Sequence, residues 1–68
     1  MNVSNITKKT FIDALVNFLL ANKSGEVSLS ERTKLFEARV KAEEELDVKT
    51  YGEAVFEAFR QAGMGSFG

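Results

Sequence analysis

The sequence contains no cysteine, histidine, proline or tryptophan among its 68 residues. Without cysteine there is no disulfide framework and no thiol nucleophile, and without histidine there is neither an imidazole base nor a Cys/His zinc site. The absence of cysteine also suits a cytoplasmic protein, because cellular reductants keep disulfides rare there. We therefore expect no catalytic, cofactor-binding or metal-binding residues, and a cytoplasmic location.

Long hydrophobic runs are also missing. The longest apolar stretch is four residues, at positions 18–21, whereas a bilayer span needs about 20. The N-terminus lacks the basic and then apolar layout of a secretory signal. We expect no membrane association.

Neither sign of charge is in large excess. Nine Lys+Arg residues stand against ten Asp+Glu residues, for a formal net charge of -1. Dedicated nucleic-acid-binding domains usually carry a basic excess, because neutralising phosphates supplies most of their affinity. Nucleic acid is therefore an unfavoured partner, although a local basic face could still bind it.

What the sequence does contain is helical periodicity. Apolar residues recur with a helical spacing in residues 7–21, 29–46 and 51–62. The short connections between these segments favour antiparallel neighbours. We predict an all-α fold, either a small three-helix bundle or a helical hairpin with a shorter third helix packed across it. Residues 1–62 would form one domain, followed by a flexible glycine-rich tail at 63–68.

Capping residues mark the predicted helix ends. A serine or threonine followed three residues later by glutamate is a capping box, and a glycine after the last apolar position favours a left-handed C-terminal turn. The predicted caps are Thr7, Ser28 with Glu31, and Thr50 with Glu53 at the N-terminal ends, and Gly25 and Gly63 at the C-terminal ends.

Most of the aromatic residues fit the predicted core. On a helical wheel they fall on or beside the apolar stripes of their helices. The predicted core aromatics are Phe11, Phe18, Phe36, Tyr51 and Phe59. The first helix has an apolar arc of about 200°, wider than a bundle contact normally needs. This helix is therefore either central in the fold or in contact with another chain.

Two groups of charges oppose their helix dipoles. Lys8 and Lys9 lie in the first turn of the first helix, and acidic residues crowd the last turns of the second, at Glu43, Glu44, Glu45 and Asp47. An antiparallel pair of helices would bring the two groups together, so we interpret them as mutual compensation. The alternative is that the acidic residues form a patch for a basic partner.

A second candidate surface lies near the C-terminus. Phe56 falls about 60° beyond the apolar face of the third helix, and Arg60 follows one turn later. Aromatic and arginine side chains often dominate protein interfaces. The candidate partner-binding residues are Phe56, Arg60, Met64, Phe67 and Leu20.

Other chemistry is poorly supported. Glu43, Glu44 and Glu45 point about 100° apart around a helix, so they do not converge on a metal ion. No glycine-rich loop precedes a helix as a phosphate cradle would. A helix-turn-helix formed by the second and third helices would place Glu53 and Glu57 beside Arg60, where phosphates would be repelled.

The function we expect is a small, non-enzymatic protein-binding module. Read as a complete gene product beginning at Met1, the chain would suit an accessory or inhibitory factor that docks on a larger macromolecular machine, of the kind that phages and mobile elements encode. One alternative is a nucleic-acid-binding regulator. A second is a structural subunit of a homo-oligomer or virion. No motif is specific enough to assign a family.

Overall fold

The computed structural model describes the backbone of residues 3–63 and the side chains of residues 5–63. It contains three α-helices, α1 (Val3–Ser24), α2 (Leu29–Glu45) and α3 (Val48–Gln61). α1 packs against both α2 and α3, which confirms the all-α three-helix fold and explains the wide apolar arc of α1. The molecule measures 35 × 32 × 18 Å, so its thickness is about two helix diameters.

α1 begins earlier than its sequence pattern indicates. It starts at Val3, so Thr7 lies inside the helix and the predicted N-cap at Thr7 is wrong. The Thr7 side chain is only 4% exposed, and its hydroxyl donates a hydrogen bond to Glu45 Oε1 at the end of α2. A threonine can make this contact from inside a helix because its hydroxyl is free to bond across to a neighbouring helix.

The C-terminus of α1 ends as predicted at a left-handed glycine. Gly25 has a φ of 84°, and the N–H groups of Gly25 and Glu26 donate to the carbonyls of Asn22 and Ala21. This is the Schellman arrangement, in which two otherwise unpaired carbonyls of the last turn are satisfied. The chain then turns within a few residues into α2.

The N-termini of α2 and α3 agree only in part with the predicted caps. Ser28 Oγ accepts from the Glu31 N–H at 3.1 Å, as expected. However, Glu31 Oε2 is buried without a hydrogen-bond partner, so it does not complete the capping box. α3 is capped by Asp47, which accepts from the Thr50 N–H at 2.7 Å. The predicted cap at Thr50 is therefore wrong by three residues.

Alanines form most of the buried surface of α2 and α3. Ala38 and Ala42 on α2, and Ala54, Ala58 and Ala62 on α3, are buried against the rest of the fold. Each series follows an i, i+4 spacing, which places its members on one face of the helix. These small side chains let the helix axes approach closely, and no large side chain of the described residues is fully buried.

Phe11 belongs to the core cluster. This cluster also contains Leu46 and alanines of both α2 and α3, and the Phe11 ring lies 5.0 Å from that of Tyr51 at an angle of 30°. This distance between ring centroids is typical of favourable aromatic pairs. The predicted core positions of Phe11 and Tyr51 therefore agree with the structure.

The predicted core position of Phe36 is wrong. Its side chain is 63% exposed, because at 100° per residue it lies about 140° from the line of Ala38 and Ala42 that faces α1. Val40 is exposed as well. Phe18 and Phe59 are half-buried.

Candidate protein-binding surfaces

Phe56 lies on the outer face of α3. It is 61% exposed and lies about 160° around the helix from the line of Ala54, Ala58 and Ala62. The helix therefore binds α1 with one face and presents a phenyl ring to solvent with the other. The helical wheel of the sequence already placed Phe56 outside the apolar face of this helix.

Arg60 extends from the next turn of α3 and is held by its own helix. Its guanidinium donates to both carboxylate oxygens of Glu57 at 2.8 Å, and Gln61 donates to Glu57 Oε2 at 2.9 Å. The hydrogen bond from Gln61, followed by that from Arg60, lowers the pKa of Glu57. Glu57 thus stays ionised, and the charged fork is oriented one turn from Phe56.

The other predicted members of this surface are not brought to it by the structure. Leu20 is exposed on α1, but it lines a shallow groove beside α2 with Asn17, Glu31 and Lys34. Met64 and Phe67 lie outside the described residues. Phe56 and Arg60 are therefore the two predicted residues that the structure places near each other.

The acidic cluster at the end of α2 is engaged in local contacts. Glu43 pairs with Arg39 at 3.4 Å, and Glu45 accepts the Thr7 hydrogen bond. Asp47 caps α3, and the hydrogen bonds from Thr50 lower the pKa of the Asp47 carboxyl. Glu44 is exposed. Three of these four residues thus have local partners, and two of them, Glu45 and Asp47, join α1 to α2 or cap α3.

The Thr7–Glu45 hydrogen bond also places the start of α1 beside the end of α2, as the opposed charges predicted. The ion pair of Lys8 is nevertheless formed with Glu53 of α3, at 3.8 Å. The compensation that we expected between α1 and α2 therefore involves a different acid on a different helix. α3 reaches this position because it too packs along α1.

Large apolar residues that sequence reasoning missed lie on the outer side of α2 and at the start of α3. Leu29 is 79% exposed and Val48 is 90% exposed, and Phe36 and Val40 are also open to solvent. The sequence does contain a signal for these residues, because a helical wheel of α2 places apolar residues on two nearly opposite faces. Only one of these faces packs against α1.

Residues 3–63 show neither a metal-binding cluster of side chains nor a membrane-spanning helix. This part of the chain holds no group of three or more acidic side chains close enough to bind a metal ion. None of its helices combines the length and hydrophobicity that crossing a bilayer requires. Comparison with other proteins found no family model, curated protein or solved structure that matches this chain.

Proposed function

We propose that this chain is a non-enzymatic helical module that binds another protein, as an accessory or inhibitory factor docking on a larger assembly. The observation that carries the proposal is the exposed ring of Phe56 on the face of α3 turned away from the core. An exposed phenyl ring keeps apolar area in contact with water, and a partner that covers it removes that cost. The non-enzymatic part is supported by the sequence, which has no histidine or cysteine.

The surroundings of Phe56 support binding to protein in particular. Arg60 lies one turn away, with its guanidinium already oriented by Glu57. Holding the guanidinium in the free protein reduces the side-chain entropy that is lost when a partner binds. Aromatic and arginine side chains with a polar rim are the usual energetic centre of a protein interface.

The experiment is photo-crosslinking with the full chain in an extract of its native host. Benzoylphenylalanine is introduced in place of Phe56, and in a matched chain in place of Val48, which is also exposed on α3. We expect position 56 to crosslink one specific protein and position 48 to give none or much less of it. The crosslinked protein identifies the partner directly.

A substitution then measures the contribution of the ring. Phe56→Ala should retain the helical circular dichroism and Tm of the parent, because the side chain lies outside the core. It should weaken binding of the identified partner by about tenfold, or ~1.4 kcal/mol, while Val48→Ala should bind normally. A folded Phe56→Ala chain that binds as tightly as the parent would refute this surface.

A further inference from the structure

The outer face of α2 carries an apolar stripe that no part of residues 3–63 covers. Leu29, Phe36 and Val40 are all exposed, and Thr33 lies between them. At 100° per residue these four side chains fall within an arc of about 60°, roughly opposite the buried alanines of the same helix. α2 therefore has one apolar face for its own core and another for a different contact.

The spacing within this stripe is that of a coiled coil. The four positions are separated by four, three and four residues, which is the a and d pattern of a seven-residue repeat. The β-branched residues Thr33 and Val40 then occupy the a positions, and Leu29 and Phe36 the d positions. β-Branched residues at a, with unbranched-β residues such as leucine at d, favour two parallel strands.

The charges that flank the stripe indicate which helix would fit it. One flank carries Arg32 and Arg39, and the other carries Glu37 and Glu44, all of them exposed. When two copies of such a helix lie parallel, two-fold symmetry sets the arginine flank of each against the glutamate flank of the other. When they lie antiparallel, arginine faces arginine and glutamate faces glutamate, which is repulsive.

We propose that the outer stripe of α2, formed by Leu29, Thr33, Phe36 and Val40, pairs with the same stripe of a second copy of this chain in parallel orientation. Arg32 and Arg39 of each copy would face Glu37 and Glu44 of the other, five residues further along. This surface lies on a different helix from Phe56, so the inference does not rest on the proposed function.

The length of the stripe sets the strength of the pairing. At the next d position stands Glu43, which is engaged with Arg39 of its own helix at 3.4 Å. In a parallel pair it would face Glu43 of the second copy, so the apolar contact ends at Val40. Two heptads bury little area, and small interfaces are typically weak. Pairing is therefore to be measured at concentrations up to about 1 mM.

Sedimentation equilibrium of the full chain tests the pairing itself. We expect reversible dimers in the parent chain and at least about tenfold weaker association for Phe36→Ala. Phe56→Ala is the matched control, since it removes an equally exposed ring from α3, and should dimerise normally. The double variant Arg32→Glu with Arg39→Glu alters only exposed positions and should also weaken association. A parent chain that stays monomeric, or a Phe36→Ala chain that dimerises like the parent, would overturn the proposal.

A second variant tests the register by strengthening the contact. Glu43→Leu replaces the like-charged contact with an apolar d residue and extends the stripe by one position. We expect dimerisation to become at least about tenfold tighter. Glu26→Leu, which adds an exposed leucine outside α2, should leave it unchanged. Equal effects of the two leucines, or no gain from Glu43→Leu, would contradict the assigned register.

Disulfide trapping tests the orientation, and the absence of native cysteine makes the result unambiguous. In a parallel pair Thr33 meets Thr33 of the second copy, so the Thr33→Cys chain should form a covalent dimer under mild oxidation. Lys41→Cys, at an exposed position away from the stripe, should not. An antiparallel pair would instead set each a position against a d position, so that Leu29 meets Val40 of the second copy. A mixture of Leu29→Cys and Val40→Cys chains that forms the mixed disulfide, with little covalent dimer from Thr33→Cys alone, would overturn the parallel arrangement.

Discussion

The inner and outer faces of α2 and α3 carry side chains of very different size. The fully buried residues of the inner faces are alanines, namely Ala42, Ala54 and Ala58. The outer faces carry the larger rings of Phe36 and Phe56, both more than half exposed. Small inner side chains let both helices lie close to α1, and the rings outside contribute little to the fold. The contrast separates the residues that hold the helices together from those available for contact with other chains.

The largest expected difference between the two faces comes from removing a ring. Phe11→Ala should destabilise the chain by about 3–5 kcal/mol, because it leaves a cavity in the core cluster and removes the contact with Tyr51. A loss of this size would unfold much of a small domain. Phe36→Ala, on the outer face of α2, should cost under about 0.5 kcal/mol at concentrations where the chain is monomeric.

Urea unfolding followed by circular dichroism at 222 nm measures the unfolding free energy of both variants. Similar losses of unfolding free energy for Phe11→Ala and Phe36→Ala would contradict the division into inner and outer faces.

Enlarging a side chain tests how closely α2 approaches α1. Ala42→Leu should cost about 1–3 kcal/mol, since there is no room for the added methylenes without moving α2. Val40→Leu, two residues earlier and on the outer face, should change stability by less than about 0.5 kcal/mol. Thermal and urea unfolding of the two variants give the comparison. An Ala42→Leu chain as stable as Val40→Leu would mean that the inner face is loosely packed.

A smaller effect is expected at the junction of α1 with α2. Thr7→Val keeps the shape of the side chain but removes the hydroxyl that bonds Glu45. It should lower the unfolding free energy by about 1 kcal/mol. Thr10→Val changes an exposed threonine one turn away on the same helix and should be nearly neutral. Equal unfolding midpoints for the two valine variants would show that the Thr7–Glu45 bond does not stabilise the hairpin.

The smallest effect concerns the cap of α3 and its dependence on pH. The folded state lowers the pKa of Asp47 below its ordinary value of 3.8. The cap therefore stabilises the fold fully above that value and loses its contribution as the pH falls through the lower, folded pKa. Asp47→Ala should lower the Tm by a few degrees at neutral pH, because it leaves the Thr50 N–H without its acceptor.

Asp47→Asn separates the hydrogen bond from the charge, because asparagine caps a helix about as well as aspartate but does not titrate. It should retain most of the neutral-pH Tm and should lose less stability than the parent between about pH 5 and pH 2. Tm measured across that range provides the test. A drop in Tm for Thr50→Ala as large as that for Asp47→Ala would favour Thr50 as the cap.

The sequence by itself determined the number of helices and much of their ends. Periodic apolar residues predict the helices. Gly25 ends α1 and Ser28 begins α2 through local hydrogen bonds that need no tertiary contact. The exposure of Phe56 also followed from the wheel, because its position lies far from the only apolar face of α3. Local geometry is sufficient for such features.

Competing local signals were resolved only in the folded chain. Asp47 and Thr50 are both good caps three residues apart, and the structure uses the earlier one. α1 extends back to Val3, where Thr7 can bond across to Glu45 only because α2 ends beside it. A cap or a buried hydroxyl of this kind depends on a neighbour that is distant in sequence.

How far the buried face of α2 extends was likewise decided by the tertiary structure. The stripe of Leu35, Ala38, Ala42 and Leu46 is recognisable in the sequence, with Phe36 and Val40 beside it, and hydrophobicity alone favours burying all of them. The core of the folded chain includes the stripe but leaves Phe36 and Val40 exposed. Close packing selects the face whose volume fits the space that remains, and that volume is known only once both helices are in place.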